Sequence, residues 1–281
     1  MARNNEDRFA AATADPAPQV MENATPDNDN QVFSFVTPTE FVELPSKGKY
    51  YPEDHPLYNQ ETLEIRYMTA KDEDILTSPS LLRKGLAVER LLQNVIVNKS
   101  IKADDLLIGD KNAILVATRI SGYGAQYETK ITCPACGTTT PNTFDLSDVD
   151  INTATVLDIE ENGYFAIRLP KMDVVVGVSF MTGVDEKRLA KLAESRKKNK
   201  LPEANLTDQF RLFIRSVNGS TKQEHINSLI ENMPAVDSRH LRTAYTELTP
   251  NVDLSQDFDC PDCGMQEEVN IPFTTEFFWP K

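Results

Sequence analysis

Apolar and polar residues alternate from Leu63 to Met68, the two-residue period of a half-buried strand. Thr69 follows as a helix N-cap, with Asp72, Glu73 and Asp74 near the positive end of the helix dipole. Ile75 and Leu76 give this short helix its apolar contacts, and Pro79 stops it. A second helix is predicted from Leu86 to Val97, with Leu91, Leu92, Val95 and Ile96 as its buried stripe. Asp110 is the expected N-cap of a third, Lys111 to Ile120, which Gly122-Tyr123-Gly124 ends. Upstream, Phe33 to Leu44 reads as extended chain leading to a turn at Pro45-Ser46-Lys47-Gly48.

Further along, Tyr164 to Leu169 and Val174 to Phe180 read as two strands joined across Pro170-Lys171-Met172-Asp173. A helix starts at Thr182 or Asp185 and runs to about Lys198, and another spans Thr207 to Val217 before the turn pair Asn218-Gly219. His225 to Glu231 and Ser238 to Leu248 are helices separated by Pro234. The pattern as a whole predicts an α+β fold, a mixed helical layer with short antiparallel strands.

Two copies of one five-residue pattern, Cys133-Pro134-Ala135-Cys136-Gly137 and Cys260-Pro261-Asp262-Cys263-Gly264, use every cysteine of the chain. Each lies between segments of strand character. Four thiolates satisfy a tetrahedral zinc ion, and the two-residue spacing lets both sulfurs of a knuckle reach it. Cys133, Cys136, Cys260 and Cys263 are therefore the expected ligands of one structural zinc in a split four-cysteine ribbon. A redox pair would need its motif at a helix N-terminus, which Gly137 and Thr138-Thr139-Thr140-Pro141 oppose. Disulfides would suit a secreted chain, but no apolar signal segment follows Met1. A catalytic zinc keeps a position open for water, whereas four cysteines close the site. The knuckles stand 124 positions apart, from Cys136 to Cys260, so a folded insertion is expected between them. The predicted organisation is a disordered tail at 1–35, an α+β domain with the first knuckle at 36–147, an inserted α+β subdomain at 148–250, and the second knuckle with an aromatic C-terminus at 251–281.

Composition narrows the function. The 281 residues carry 29 basic and 43 acidic side chains, a net charge of −14, which opposes generic nucleic-acid binding and turns the zinc ribbon toward a protein partner or plain architecture. No apolar stretch approaches the roughly 20 residues of a membrane helix. The first thirty or so residues are rich in Asn, Asp, Ala, Pro and Thr and bury too little apolar surface to offset their conformational entropy.

The remaining signals are mostly structural. Ser46-Lys47-Gly48-Lys49 lacks the earlier glycine and the following Ser or Thr of a phosphate loop, having Glu43 and Tyr50 there. His55, His225 and His240 show no nucleophile or ligand spacing, and Asp72-Glu73-Asp74 is explained as helix-start acids before any bound cation. Arg196-Lys197-Lys198-Asn199-Lys200 sits where cations stabilise a helix C-terminus. The aromatics Phe273, Phe277, Phe278 and Trp279 are expected to pack on the protein's own core, with docking into a partner as the alternative.

Several segments together carry a family resemblance: Leu44-Pro45-Ser46-Lys47-Gly48, Met68-Thr69-Ala70 with Asp72-Glu73-Asp74-Ile75-Leu76, and Gly109-Asp110-Lys111-Asn112-Ala113-Ile114-Leu115. With them stand Arg119-Ile120-Ser121-Gly122-Tyr123-Gly124-Ala125-Gln126-Tyr127, the two knuckles, Ser216-Val217-Asn218-Gly219 and Phe277-Phe278-Trp279-Pro280. From Phe41 to Trp279 the chain resembles the T4-type phage baseplate hub proteins, the gene-26-like group of contractile-tailed phages. The resemblance implies a non-enzymatic structural or assembly part of the central hub, in the virion baseplate and, during assembly, the host cytoplasm. The implied partners are other baseplate hub proteins, with no membrane, nucleic acid or small-molecule substrate. The different reading left by the cysteines is a zinc-ribbon regulator that binds nucleic acid.

Overall fold

The alternation at residues 63–68 becomes half of an antiparallel pair. In a computed structural model that describes residues 36–152, 164–271 and 275–278, strand β1 (Thr39–Glu43) pairs with β2 (Thr62–Arg66). Helices α1 (Ala70–Thr77), α2 (Pro79–Arg83), α3 (Ala87–Val95) and α4 (Ile108–Tyr123) follow, then the hairpin β3 (Gln126–Thr132) and β4 (Thr139–Asp145). The tail expected at 1–35, and Phe273 and Trp279 of the aromatic cluster, lie outside the described residues.

Strand β5 (Asp150–Asn152) pairs antiparallel with β9 (Asn251–Asp253), so the chain leaves and returns side by side. Between them β6 (Phe165–Arg168), β7 (Val175–Val178) and β8 (Ile214–Val217) form a three-stranded antiparallel sheet in that order. Helices α5 (Gly183–Lys198), α6 (Asn205–Phe213), α7 (Gln223–Asn232) and α8 (Ala235–Leu248) belong to the same interval. The hairpin β10 (Ser255–Asp259) and β11 (Gln266–Asn270) comes last. The architecture among the described residues is thus a mixed α+β one, eight helices with short antiparallel sheets.

One helix organises the core. Ala113, Ile114, Leu115 and Val116 of α4 are all buried, and α4 packs against α3, β1 and β9. Four consecutive buried residues span more than one helical face, as in a helix covered on several sides. Gly109 makes the closest approach: a Cβ there would lie 1.9 Å from the Pro250 carbonyl oxygen. Backbone cannot yield as a side-chain tip would, so Gly109→Ala is expected to cost about 3 kcal/mol or more by overpacking, read as a lower urea midpoint.

Three expectations change. Pro79 does stop α1, but it then opens α2, because proline suits the first helical position. Asp110 is not the N-cap of α4: Leu107 is, and Asp110 lies buried within the first turn. The helix expected from Thr207 to Val217 ends at Phe213, and Ile214–Val217 is strand β8. There β7 offers backbone partners (Val176 with Val217, Gly177 with Ser216), and β-branched Ile214 and Val217 suit a pleated surface. The turn at Asn218-Gly219 holds, both residues having positive φ.

Asp72 does more than favour a dipole. Its carboxylate accepts from the Thr69 backbone and hydroxyl, from both terminal nitrogens of Arg66 and from Asn94 Nδ2. Burial opposes its ionisation, but these donors outweigh burial and hold its pKa at about 2. Its stabilisation is therefore complete above the ordinary carboxylate value and drains away as pH falls toward 2. Arg66 is partly exposed, and solvent screening leaves an expected loss of about 1–2 kcal/mol for Asp72→Asn at neutral pH. In urea titrations across pH, the gap between parent and variant should close below pH ~2.

Candidate metal centre

The same turn is built twice. Cys133 N–H donates to Thr138 O and Gly137 N–H to Cys133 O, while Cys260 N–H donates to Met265 O and Gly264 N–H to Cys260 O, all at 2.8–2.9 Å. Gly137 and Gly264 close these turns at φ 75° and 69°, the left-handed region where a Cβ is strained. Each turn joins two strands of a hairpin, β3 to β4 and β10 to β11, so neither Cys-x-x-Cys opens a helix.

The fold brings the two turns face to face. The four Sγ atoms all lie within 4.8 Å of one another, with Cys133 to Cys263 at 3.7 Å and Cys136 to Cys260 at 3.8 Å. These separations far exceed a disulfide bond of about 2.05 Å. They match the sulfur–sulfur edge of about 3.8 Å that follows from tetrahedral metal–sulfur arms of about 2.3 Å. Cys133 and Cys260 are buried, and Cys136 and Cys263 face solvent. The Thr138 hydroxyl reaches across to Asp262 Oδ2 at 2.8 Å, tying one knuckle to the other. Among the described residues these cysteines form the only such group, joined by no histidine or carboxylate.

Thiols this close do not ionise independently. Hydrogen bonds from the Thr138 side chain and backbone lead in holding Cys136 down at about 6. A backbone N–H from Met265 favours the Cys263 thiolate, yet desolvation and the hydrogen bonds with Cys260, Cys136 and Cys133 push it up to about 12. A full set of four thiolates in this space needs a compensating cation.

Both hairpins are anchored from behind. Arg119 of α4, only 1% exposed, donates from Nε to Phe277 O, from Nη1 to Gly124 O and from Nη2 to Gln126 O, at 2.6–3.0 Å. It thereby joins the C-terminal turn to the entrance of β3. Tyr127 meets Phe277 edge to face at 5.1 Å, and Phe277 and Phe278 are buried, as own-core packing predicts. Gln256 Nε2 on β10 donates to Asp145 O on β4 at 2.6 Å.

The other candidates have structural employment. Ser46 donates both its N–H and its hydroxyl to Asp110, and Tyr51 OH donates to the same carboxylate at 2.7 Å. Burial pushes the Asp110 pKa up despite these donors. This knot fixes the Pro45–Lys49 turn to α4. His55 stacks on Tyr51 and accepts from Leu57 N–H, and His225 Nδ1 lies 2.8 Å from Ser220 Oγ. Arg196, in the last turn of α5, pairs bidentately with Asp208.

The fold places a four-sulfur cluster at the meeting of two hairpins. From residue 37 to 279 the chain matches the family described as T4 bacteriophage base plate protein, and it belongs to that family. No curated protein and no solved structure matches it. No described helix is long and apolar enough to cross a membrane.

Proposed function

We propose that the protein is a non-enzymatic structural or assembly component of the central hub of a contractile phage tail baseplate, working through contacts with other baseplate proteins. Family membership across residues 37–279 carries this reading. In it, one zinc ion bound by Cys133, Cys136, Cys260 and Cys263 staples the two hairpins, supplying cohesion and no open coordination position. The acidic balance of the chain counts against a nucleic-acid regulator. The organisation supporting the role is a scaffold at 36–147 and 251–281 with the interval 148–250 rooted on the β5–β9 ladder. An amber mutation in the gene should stop baseplate assembly, and mass spectrometry of purified particles should separate a virion subunit from an assembly factor released before completion. Normal tails from the amber mutant would refute the hub reading.

A further inference from the structure

Among the described residues, strand β1 has one paired edge and one open edge. Tyr67 N–H bonds to Pro38 O and Leu44 N–H to Glu61 O, in register with the β1–β2 ladder. Antiparallel alternation then turns the backbone groups of Glu40 and Val42 toward β2, and those of Thr39, Phe41 and Glu43 outward. Those outward groups have no backbone partner among the described residues. Phe41, at the middle of this edge, is 70% exposed.

Beside the strand lies an apolar cavity of about 270 Å³, floored by Ala113, Val116 and Ile120 of α4 and walled by Val42 and Ile151. Among the described residues its lining includes Glu40 and Glu43 and no lysine or arginine. Glu40 Oε1 is buried without a hydrogen-bond partner among the described residues. Acids on an edge strand commonly deter self-pairing, which accounts for Glu43 but not for an exposed phenylalanine beside an apolar hollow. The same acids, on a chain of charge −14, disfavour a second copy as the occupant.

We infer that the open edge of β1 receives an extended segment of another protein, which adds a strand to the β1–β2 sheet. That segment places an apolar side chain in the cavity, on the Glu40 and Val42 face of the strand, and a lysine or arginine against Glu43, on the Phe41 face. Main-chain hydrogen bonds supply affinity in this mode, and side-chain pockets supply selectivity. The inference rests on the baseplate-assembly reading only for the source of the segment.

The test uses the full chain in infected cells. Phe41→p-benzoyl-phenylalanine, irradiated during assembly, should cross-link to a peptide of another baseplate chain in which Lys or Arg flanks an apolar residue. Phe41→Pro removes an outward N–H while leaving the β1–β2 bonds intact, and Glu43→Lys reverses the charge on an exposed side chain. Each should lower the yield of complete tails at least tenfold, with melting temperature and metal content unchanged. If Phe41→Pro also lowers the melting temperature, Glu43→Lys decides. Cross-links to residues 1–35 of the same chain, to a second copy, to a segment lacking cations, or to nothing would overturn the inference. Full tail yield from Glu43→Lys would do so too. An amber mutant with normal tails defeats the hub reading instead, and the cross-link then decides the edge alone.

Discussion

Replacing Cys133 or Cys260 with serine is expected to unfold the joint between the two hairpins. Both residues are buried, and each supplies one of four sulfurs that lie within 4.8 Å of one another. A structural zinc site contributes on the order of 10–16 kcal/mol of apparent binding energy, comparable to or above the roughly 5–15 kcal/mol net stability of a whole domain. Losing one ligand removes part of that energy, expected to be enough to open the joint between the hairpins. The wild-type protein should hold one zinc per chain by elemental analysis; two or none would contradict a single shared site. A strong chelator should lower the melting temperature, and added zinc should restore it. The sign with pH is fixed by the ligands: thiolates bind metal and thiols do not, so zinc should be released as pH falls. A serine variant that melts like the parent would remove the staple from the account.

Arg119→Met is expected to destabilise the protein by about 4 kcal/mol, because three buried or part-buried carbonyls lose a charged donor at about 1–3 kcal/mol each. Methionine keeps the apolar bulk of the arginine stem, so the loss would report the hydrogen bonds more than a cavity. Arg119→Lys should recover only part of it, since an ammonium cannot present the planar fork that reaches all three carbonyls. The guanidinium also lies 5.5 Å from the centre of the Tyr123 ring, a contact that both variants weaken. Equilibrium urea unfolding should show a lower midpoint at unchanged slope, and hydrogen exchange should show faster opening of the turn at Phe277 and Phe278. A midpoint shift equivalent to less than about 1 kcal/mol would mean that the carbonyls find other donors.

Local signals in the sequence were reliable where a single residue type forces the backbone. Thr69 caps α1, Thr182 caps α5, Gly124 ends α4 and Asn218-Gly219 turns the chain. The stripe of Leu91, Leu92, Val95 and Ile96 is fully buried, as its spacing required. The helical reading of Ile214–Val217 failed because its apolar positions suit either period, and the choice was made by a neighbouring strand remote in sequence.

Chemistry carried by spacing was likewise legible, and chemistry carried by long-range pairing was not. Two Cys-x-x-Cys-Gly motifs announce two knuckles, since the turn that aims both sulfurs is a local conformation. The partners of Arg119 were hidden, because backbone carbonyls are present at every residue and leave no mark on composition. Asp110 looked like a cap for a related reason: a carboxylate near a helix start is stabilised by the dipole wherever its side chain points. Only the fold showed it turned inward to Ser46 and Tyr51.

By itself, then, the order of residues determined the helices with strong caps, the tight turns, and the identity of the four sulfurs. The tertiary structure alone decided that these sulfurs meet, that β5 and β9 clasp the interval between the knuckles, and that β1 pairs with β2 along one edge. The division has one physical cause. Caps and turns are settled by interactions within a few residues, whereas the meeting of distant segments depends on which surfaces bury each other and which backbone groups find partners in doing so.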